Sequence, residues 1–390
     1  QAFLSAILAG GIGAAFDSGW VAILSIWPLW ETLRPMLEWA FTRGAPASPL
    51  PKMAIGSQIP RQHATVICVT ALLPAAGKAD WIERRLTDLY HKNPDGELSF
   101  LLLADFKPAK YPSMPEDDTM IAAARKVIDR LNKRYGNRFM LIVRSRRFCK
   151  TQNCFSGWER KRGAIVELCR IIKGEKVPLA CFRGDLARLR RVRYILTLDA
   201  DTGLLMDGAA ELVRTAIHPL NRPVIDKERG RVTAGYGILS PKITVDVQSA
   251  GKTWFSRVMG GAGGISSYAV SSGNLYQDLY HQCIFTGKGL IDVEAAYQLL
   301  DGAFPENRVL SHDILEGGIL RVGYASGTEM TDAVPSSAGP WFDRMHRWIR
   351  GDWQNLPFFI GGGTQKFPGG IVRWFLFDNL RRSITPIATV

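Results

Sequence analysis

Residues 192–202 read VRYILTLDADT, an apolar run that closes with two carboxylates, Asp199 and Asp201. A short apolar run bounded by polar residues is typical of a strand buried on both faces of a parallel sheet. Similar runs precede it, and stretches with helical spacing lie between them. The predicted strands are residues 64–73, 98–106, 138–145 and 192–201, and the predicted helices are residues 79–92, 116–135, 157–172 and 204–218.

The strict alternation of strand and helix predicts an α/β fold, a doubly wound and mostly parallel sheet with helices on both faces. A parallel crossover needs about a dozen residues and usually forms a helix, and the spacing between these runs allows one each time. Ligands of such sheets bind beyond the carboxyl ends of the strands. Asp105 ends the second predicted strand, so we expect it at the same edge as Asp199 and Asp201.

The composition limits the possible functions. The chain has 390 residues, 46% of them hydrophobic, and a net charge of +13, which excludes a long polar disordered chain. Six cysteines are too few for a disulfide scaffold and none lies in a CxxC pair, so we expect reduced thiols that face the cytosol and no zinc site. The positive charge would suit a nucleic-acid-binding module, but no recognition motif is present, and we expect no nucleic-acid partner.

Both ends of the chain indicate contact with a lipid bilayer, and we expect membrane-associated helices at both termini. The only ionisable side chain between residues 2 and 30 is Asp17, and tryptophans are frequent there. Such a segment suits a transmembrane or interfacial helix, and a buried globular helix is the alternative. The predicted units are residues 1–43 as transmembrane or interfacial helices, 44–60 as a proline-rich linker, 61–370 as the catalytic domain, and 371–390 as an interfacial helix leading to a further membrane span.

The pair Asp199 and Asp201 predicts a cation site. Carboxylates two residues apart just past a strand can both reach one hard divalent cation, Mg²⁺ or Mn²⁺, and such a cation can bridge diphosphate oxygens. For an isolated Asp-x-Asp pair a solvated turn is the competing interpretation. The position of the pair at a strand end, after three strand–helix units, favours the cation site.

A basic helix start lies upstream, at residues 158–163, which read WERKRG. A helix start that carries Lys161 offers free backbone N–H groups and positive charge to a pyrophosphate. A solvated basic face, or a face turned to anionic lipid, are the alternatives.

Three strings downstream complete the set that transfer from a nucleotide sugar needs: residues 285–289 (FTGKG), 311–313 (SHD) and 344–354 (RMHRWIRGDWQ). Asp313 is the best candidate for a general base, and an N-cap role for the same side chain is the competing and compatible interpretation. Helical spacing places Arg344, Arg347 and Trp348 on one side of a helix. For Trp348 and Trp353, packing against a membrane-proximal helix is the alternative to holding sugar rings.

These motifs resemble a known pattern. Asp105, the pair Asp199 and Asp201, then Asp313 and the RxxRW string resemble the D, DxD, D, (Q/R)xxRW series of processive membrane-bound glycosyltransferases with a GT-A fold. Longer strings, among them WERKRGAIVEL, LTLDADT, YQDLYHQCIFTGKGLIDVEAAY and HRWIRGDWQNLPFF, resemble the glycosyltransferase domain of cyclic β-1,2-glucan synthases, glycosyltransferase family 84. The resemblance covers nearly the whole chain.

The resemblance implies UDP-glucose as donor, a growing β-1,2-linked glucan as acceptor, inversion at the anomeric carbon, and a site on the cytoplasmic side of the bacterial inner membrane. It also implies further cyclisation and phosphorylase-like domains of the same polypeptide. The residue roles that it implies are Asp199 and Asp201 for Mg²⁺ or Mn²⁺ and the donor diphosphate, Asp105 near the uracil, Lys161 on the nucleotide, Asp313 as the base for the acceptor 2-hydroxyl, Arg344 and Arg347 on the UDP leaving group, and Trp348 with Thr286, Gly287 and Lys288 beside the acceptor.

A second type of transferase stays open. A non-processive enzyme that adds a single sugar to a lipid acceptor would share the Asp-x-Asp pair and the base. The RxxRW string followed by Trp353 favours a polymer as acceptor, and the length of the product distinguishes the two.

Overall fold

The computed structural model describes residues 2–44, 47–56, 58–260, 274–309, 311–361 and 370–389. The strands in these ranges are β1 (Thr65–Leu72), β2 (Leu98–Asp105), β3 (Phe139–Arg144), β4 (Arg146–Cys149), β5 (Cys154–Gly157), β6 (Leu179–Arg183), β7 (Tyr194–Asp199), β8 (Gly203–Leu204), β9 (Val224–Asp226), β10 (Arg231–Ala234), β11 (Ile238–Val245), β12 (Gly289–Asp292) and β13 (Val322–Asp332).

The helices in the same ranges include three of 17 residues or more outside the amino terminus, α4, α13 and α15. The helix bounds are α1 (Ala2–Ala15), α2 (Gly19–Gly44), α3 (Asp80–Lys92), α4 (Asp117–Tyr135), α5 (Arg160–Ile172), α6 (Leu186–Arg190), α7 (Gly208–Ala216), α8 (Val247–Ala250), α9 (Trp254–Gly260), α10 (Leu275–Tyr280), α11 (Val293–Leu299), α12 (Asp313–Leu320), α13 (Ala338–Gln354), α14 (Leu356–Phe359) and α15 (Ile371–Thr389).

Nine of the strands form one sheet in the order β6-β3-β2-β1-β7-β12-β11-β13-β8. The pairings of β3, β2, β1 and β7 are parallel, and so is that of β11 with β13. Strands β6, β12 and β8 run against their neighbours. Six strands therefore point in one direction and three in the other, and the predicted α/β fold with a mostly parallel sheet is confirmed.

Hydrophobic side chains cover both faces of this sheet. Along β1, Val66 and Cys68 point to one face and Ile67 and Val69 to the other, and all four are fully buried. The first face packs against α5, α11 and α12, and the second against α3, α4 and α7. Burial on both faces explains the uninterrupted apolar run, because successive side chains of a strand point to opposite sides.

The terminal helices pack against each other. Helix α1 lies so close to α2 that a Cβ added at Gly13 would come within 2.4 Å of the Ala22 Cβ. Helix α2 joins α15 through an ion pair of 3.1 Å between Arg34 and Asp378. Within the described ranges no helix has both the length and the apolarity that a membrane crossing requires.

The predicted linker, where the structure describes it, lies along the catalytic domain. The Met53 amide donates a hydrogen bond of 3.0 Å to the Arg214 carbonyl, and the Asn221 side chain donates one of 2.8 Å to the Pro51 carbonyl. Residues 45, 46 and 57 of this segment lie outside the described residues.

Candidate active site

Two lysines meet at Asp199, the last residue of β7. The Lys161 ammonium, from the first turn of α5, lies 2.5 Å from Asp199 Oδ1, and that of Lys288 lies 3.3 Å from Oδ2. Burial would raise the pKa of the Asp199 carboxyl, but the two ammonium groups hold this pKa below its ordinary value. Asp199 is therefore an ionised carboxylate at neutral pH, with a cation on each oxygen.

Asp332, the last residue of β13, is a member of this cluster that the sequence did not suggest. Its carboxylate accepts hydrogen bonds from Lys288 and, at 3.0 Å, from the Thr202 hydroxyl. Arg85 of α3 donates to the Thr202 carbonyl and so supports the turn after Asp199. Arg85 and Asp332 belong to segments without a motif. The pairing of β13 with β8, which directly follows the turn after Asp199, brings Asp332 to this site.

Asp201 is the more open carboxylate of the pair. Its side chain is 51% exposed, and the nearest guanidinium nitrogen, from Arg344 in α13, is 4.0 Å from it. Asp199 and Asp201 form a donor set that fits a divalent cation, because Mg²⁺ in such sites takes one or two carboxylates and completes its shell with phosphate oxygens and water. Arg344 also donates a 3.3 Å hydrogen bond to the Ala333 carbonyl.

The loop of residues 285–289 joins the Asp199 side to Asp313. The Gly287 carbonyl accepts a 2.6 Å hydrogen bond from Lys161. On its other side, a Cβ added at Gly287 would lie only 2.9 Å from Asp313 Oδ1. The residue also has a φ of +79°, so both the short distance and the backbone conformation require glycine here. The neighbouring Thr286 hydroxyl is buried and has no hydrogen-bond partner in the described part of the chain.

Asp313 is the first residue of α12, and no side chain caps this helix. The N-cap interpretation of Asp313 is therefore not what the structure has. Burial raises the pKa of the Asp313 carboxyl, and the positive charges of His312 and Lys161 oppose that rise. A carboxylate with a raised pKa is a stronger proton acceptor, as a general base requires.

Asp105 belongs to a separate and closed cluster around Arg144. The Arg144 guanidinium donates to both oxygens of Asp105, at 2.7 and 2.6 Å, and to Glu167 at 3.0 Å. Gly157 lies against the same carboxylate, since an added Cβ would be 2.4 Å from Asp105 Oδ2. The structure therefore places Asp105 at the expected edge, with both oxygens already engaged.

The aromatic residues of α13 contact α15. The Arg382 guanidinium lies 5.7 Å from the centre of the Trp348 ring, and the Trp353 indole donates a 3.0 Å hydrogen bond to the Ser383 hydroxyl. Arg347 is exposed and makes no ion pair in the described ranges. Trp348 and Trp353 thus pack on another helix, and a role for them in holding sugar rings stays a prediction.

A polar cleft of about 370 Å³ adjoins the site at Gly157. Arg160, Arg308 and Arg350 line it, and none of the three has a carboxylate within 4.0 Å among the described residues. Glutamine, asparagine, serine and threonine side chains also line it, together with Glu159, Cys149 and Val309. The three arginines and the uncharged polar groups suit hydroxyl-rich or anionic ligands.

Sequence comparison identifies the family to which this chain is related. No family model matches the chain. The chain is 34% identical over 366 residues to the cyclic beta-(1,2)-glucan synthase NdvB of Rhizobium meliloti (strain 1021). The predicted resemblance to cyclic β-1,2-glucan synthases is confirmed. The match covers 93% of this chain but only 13% of NdvB.

A solved structure supports the fold. The mannosyltransferase PcManGT from Pyrobaculum calidifontis, in complex with GDP-Man and Mn²⁺, aligns with a TM-score of 0.50 over 100% of this chain and 84% of its own, at 14% identity. The sheet is thus of the glycosyltransferase kind. With a glucan synthase as the sequence relative, the prediction of a glycosyltransferase enzyme is confirmed.

Proposed function

We propose that this chain is the polymerising module of a cyclic β-1,2-glucan synthase, which transfers glucose from UDP-glucose, with inversion, to a growing β-1,2-glucan. One observation carries the proposal: Gly287 contacts both Lys161, which holds Asp199, and Asp313. The candidate donor site and the candidate base therefore lie on two sides of one loop. The cyclisation and phosphorylase-like domains that would accompany it belong to the proposal too, because the chain spans about an eighth of the length of NdvB.

On the donor side, cations would neutralise the charge of the diphosphate. Asp199 and Asp201 would hold Mg²⁺ or Mn²⁺, which when bound offsets the negative charge that develops on the leaving group. Lys161, Lys288 and Arg344 supply further positive charge from three different elements. Fixed cations aimed at the leaving group stabilise the transition state more than the ground state.

On the acceptor side, Asp313 would take the proton of the attacking 2-hydroxyl. The oxygen of that hydroxyl bonds to the anomeric carbon while the bond from this carbon to the diphosphate oxygen breaks. The reaction needs one base and an in-line arrangement, because inversion involves no covalent intermediate with the enzyme. A single candidate carboxylate at Gly287 agrees with this requirement.

We also propose that α1 and α2 lie on the cytoplasmic face of the bacterial inner membrane. Large apolar side chains on these helices and in the turn between them are more than half exposed: Phe3, Ile7, Phe16, Trp20, Ile23 and Leu24. Exposed apolar and aromatic side chains of this density favour a membrane interface. In vesicle flotation, the chain should float with anionic lipid, and the Phe16→Ser/Trp20→Ser variant should remain at the bottom of the gradient.

The test of the transfer reaction uses UDP-glucose with Mg²⁺ or Mn²⁺, and it measures UDP release and the linkage of the carbohydrate formed. A β-1,2-glucan supports the proposal, and a product with one sugar on lipid supports the non-processive alternative. Asp313→Asn should retain UDP binding and abolish transfer, whereas Asp201→Ala should weaken both. Asp226→Asn, on the β9–β10 ribbon, is the matched control. Absence of UDP release with either metal would contradict the proposal.

A further inference from the structure

The side chains of His312 and Glu316 lie next to Asp313, the candidate base. His312 Nδ1 lies 2.9 Å from Glu316 Oε2 and 3.5 Å from Asp313 Oδ1. Residues 312 and 316 are one helical turn apart, so the start of α12 holds the ring between the two carboxylates. Both contacts go to the same ring nitrogen, and a hydrogen on Nδ1 is the arrangement that satisfies them.

The burial of Glu316 makes this hydrogen necessary. Glu316 is 5% exposed, and its Oε1 has no hydrogen-bond partner in the described part of the chain. An isolated carboxylate buried in this way costs several kcal/mol unless a cation or a proton accompanies it. His312 is the cation that the described structure places against Glu316. Burial lowers the pKa of His312, but the neighbouring Glu316 and Asp313 carboxylates outweigh it and hold this pKa above its ordinary value. The charged ring, with a hydrogen on both nitrogens, therefore faces Asp313.

Other charges also face Asp313. Lys161 approaches from α5, Asp199 from β7 and Asp352 from α13, in addition to Glu316 on its own helix. Lys161 is already engaged by Asp199 and by the Gly287 carbonyl. Without His312, the base would be surrounded mainly by negative charge, which disfavours its ionised form.

We propose that His312 and Glu316 are positioning residues for Asp313: Glu316 fixes the His312 ring, and the His312 Nδ1–H group keeps the Asp313 carboxylate ionised and directed at Gly287. This inference rests on the proposed function. In the transfer step the acceptor proton moves to Asp313, the acceptor oxygen bonds to the anomeric carbon, and the bonding pair of the cleaved bond leaves with UDP. The proton that His312 shares with Glu316 stays in place throughout.

The kinetic test compares His312→Ala, His312→Asn and Glu316→Gln with the wild type over a range of pH. We expect kcat to fall roughly 10- to 100-fold in His312→Ala and Glu316→Gln, with KM for UDP-glucose changed by less than about threefold. In His312→Ala, loss of the positive charge raises the pKa of Asp313, so the acidic limb of kcat should move to higher pH in this variant. His312→Asn retains an N–H donor without charge, and should recover part of kcat but keep the shifted limb.

The matched control is Glu294→Gln, on neighbouring α11, which pairs with Lys173 at the surface. It should leave both kcat and the acidic limb unchanged. A His312→Ala or Glu316→Gln variant with wild-type kcat would overturn the inference. So would a loss of kcat in His312→Ala without movement of the acidic limb, because a merely structural role would reduce turnover at every pH alike.

A second measurement needs no turnover and separates this inference from the proposed function. In ¹⁵N spectra of histidine-labelled protein, His312 should carry hydrogens on both ring nitrogens at neutral pH, and Glu316→Gln should lose one of them at a lower pH than the wild type does. The ligand atoms of His312, Asp313 and Glu316 lie within 4.8 Å of one another, so Mn²⁺ is titrated as well. Mn²⁺ binding that is lost in Glu316→Gln and kept in Asp201→Ala would make the cluster a cation site and overturn the inference.

Discussion

The Arg144 cluster lies at the ends of β2 and β3, and the Lys161 cluster, formed by Lys161, Lys288 and Asp199, lies at the end of β7, with β1 between them. The two clusters differ in how fully their charges are paired. The Arg144 side chain is 1% exposed and makes five hydrogen bonds, to Asp105, to Glu167 and to the carbonyls of Trp158 and Arg160. These use all five N–H groups of a guanidinium. Asp199, between two lysines, keeps 38% of its side chain exposed.

This difference in charge pairing indicates that the Arg144 cluster is a structural framework and that the Lys161 cluster is a binding surface. A planar guanidinium with every donor used fixes its neighbours in one geometry, whereas an ammonium on a flexible stem can exchange a carboxylate for a phosphate. The first cluster also builds the second. By binding the carbonyls on either side of Glu159, Arg144 holds a turn in which Glu159 and Arg160 both have φ near +50°, and this turn starts the helix that carries Lys161.

The largest expected effect is on stability, from Arg144→Met. The half-buried Asp105 carboxylate, the buried Glu167 carboxylate and two carbonyls would each lose the donor that Arg144 provides. We expect a loss of about 3–5 kcal/mol in the free energy of unfolding, measured with urea. Arg144→Lys keeps the charge but lacks the planar, five-donor guanidinium, so its free energy of unfolding should lie between those of Arg144→Met and the wild type. This variant tests the prediction if Arg144→Met does not fold. Arg147→Met, which removes the more exposed partner of Glu167, is the control. If Arg144→Met lowered the free energy of unfolding by less than about 1 kcal/mol, the Arg144 cluster would not be a structural framework, and the contrast with the Lys161 cluster would be wrong.

The next effect is on turnover, from Lys161→Met. Removing a fixed cation from the leaving group should lower kcat about 10²- to 10³-fold, while the free energy of unfolding changes by less than about 1 kcal/mol. Single-turnover UDP release and urea unfolding measure the two quantities. Lys173→Met, near the end of the same helix, should change neither. A Lys161→Met variant as unstable as Arg144→Met would mean that the second cluster is part of the framework too.

Gly287→Ala should have an intermediate effect on both quantities. The added Cβ would lie 2.9 Å from Asp313 Oδ1 at a positive φ, so we expect about 1–3 kcal/mol of destabilisation and a displaced base. Gly302 also has a positive φ, of +64°, but open space around its Cβ position. Gly302→Ala thus carries the backbone strain alone and should leave kcat unchanged. Equal kcat in the two variants would show that the contact with Asp313 is unimportant.

The smallest expected effect is the pH dependence of stability that Asp199 contributes. Because its pKa is lower in the folded state than in the unfolded state, its contribution is present above the unfolded-state pKa and is lost as pH falls through the folded-state pKa. Asp199→Asn should therefore differ from the wild type at pH 7, by less than about 1 kcal/mol, and approach it at low pH. Urea unfolding at several pH values measures this. A difference that grew on acidification would reverse the sign of the inferred interaction.

The sequence predicted strands β1, β2, β3 and β7 and helices α3, α4, α5 and α7 to within a few residues. Each of these strands is an apolar run buried on both faces, which leaves a clear signal. Strands β12 and β13 were not predicted, because β12 has four residues and β13 mixes polar and small residues. The β4–β5 hairpin was missed as well, since each of its strands has only four residues and neither forms a continuous apolar run.

Some residues of the candidate site could likewise be predicted from the sequence, and others could not. Asp199, Asp201, Lys161 and Asp313 could be identified because each follows a strand or starts a helix, where backbone groups and charges face a ligand. The role of Lys288 differs from the expectation that it lies beside the acceptor, since its ammonium pairs with Asp199 and Asp332. Arg85 and Asp332 had no such signal, because their partners come from other elements.

The sequence by itself determined the α/β alternation, the strand ends that carry the carboxylates, and the resemblance to cyclic β-1,2-glucan synthases. These are local properties, since hydrophobic period and motif spacing are both read along the chain. The tertiary structure was needed to show which charged side chains have all their hydrogen-bonding groups paired and which stay partly exposed to a ligand. Asp105 meets Arg144 from 39 residues away, and Lys161 meets Gly287 from 126 residues away. Such pairs depend on strand order and burial, and the energy of a buried charge depends on every group that surrounds it.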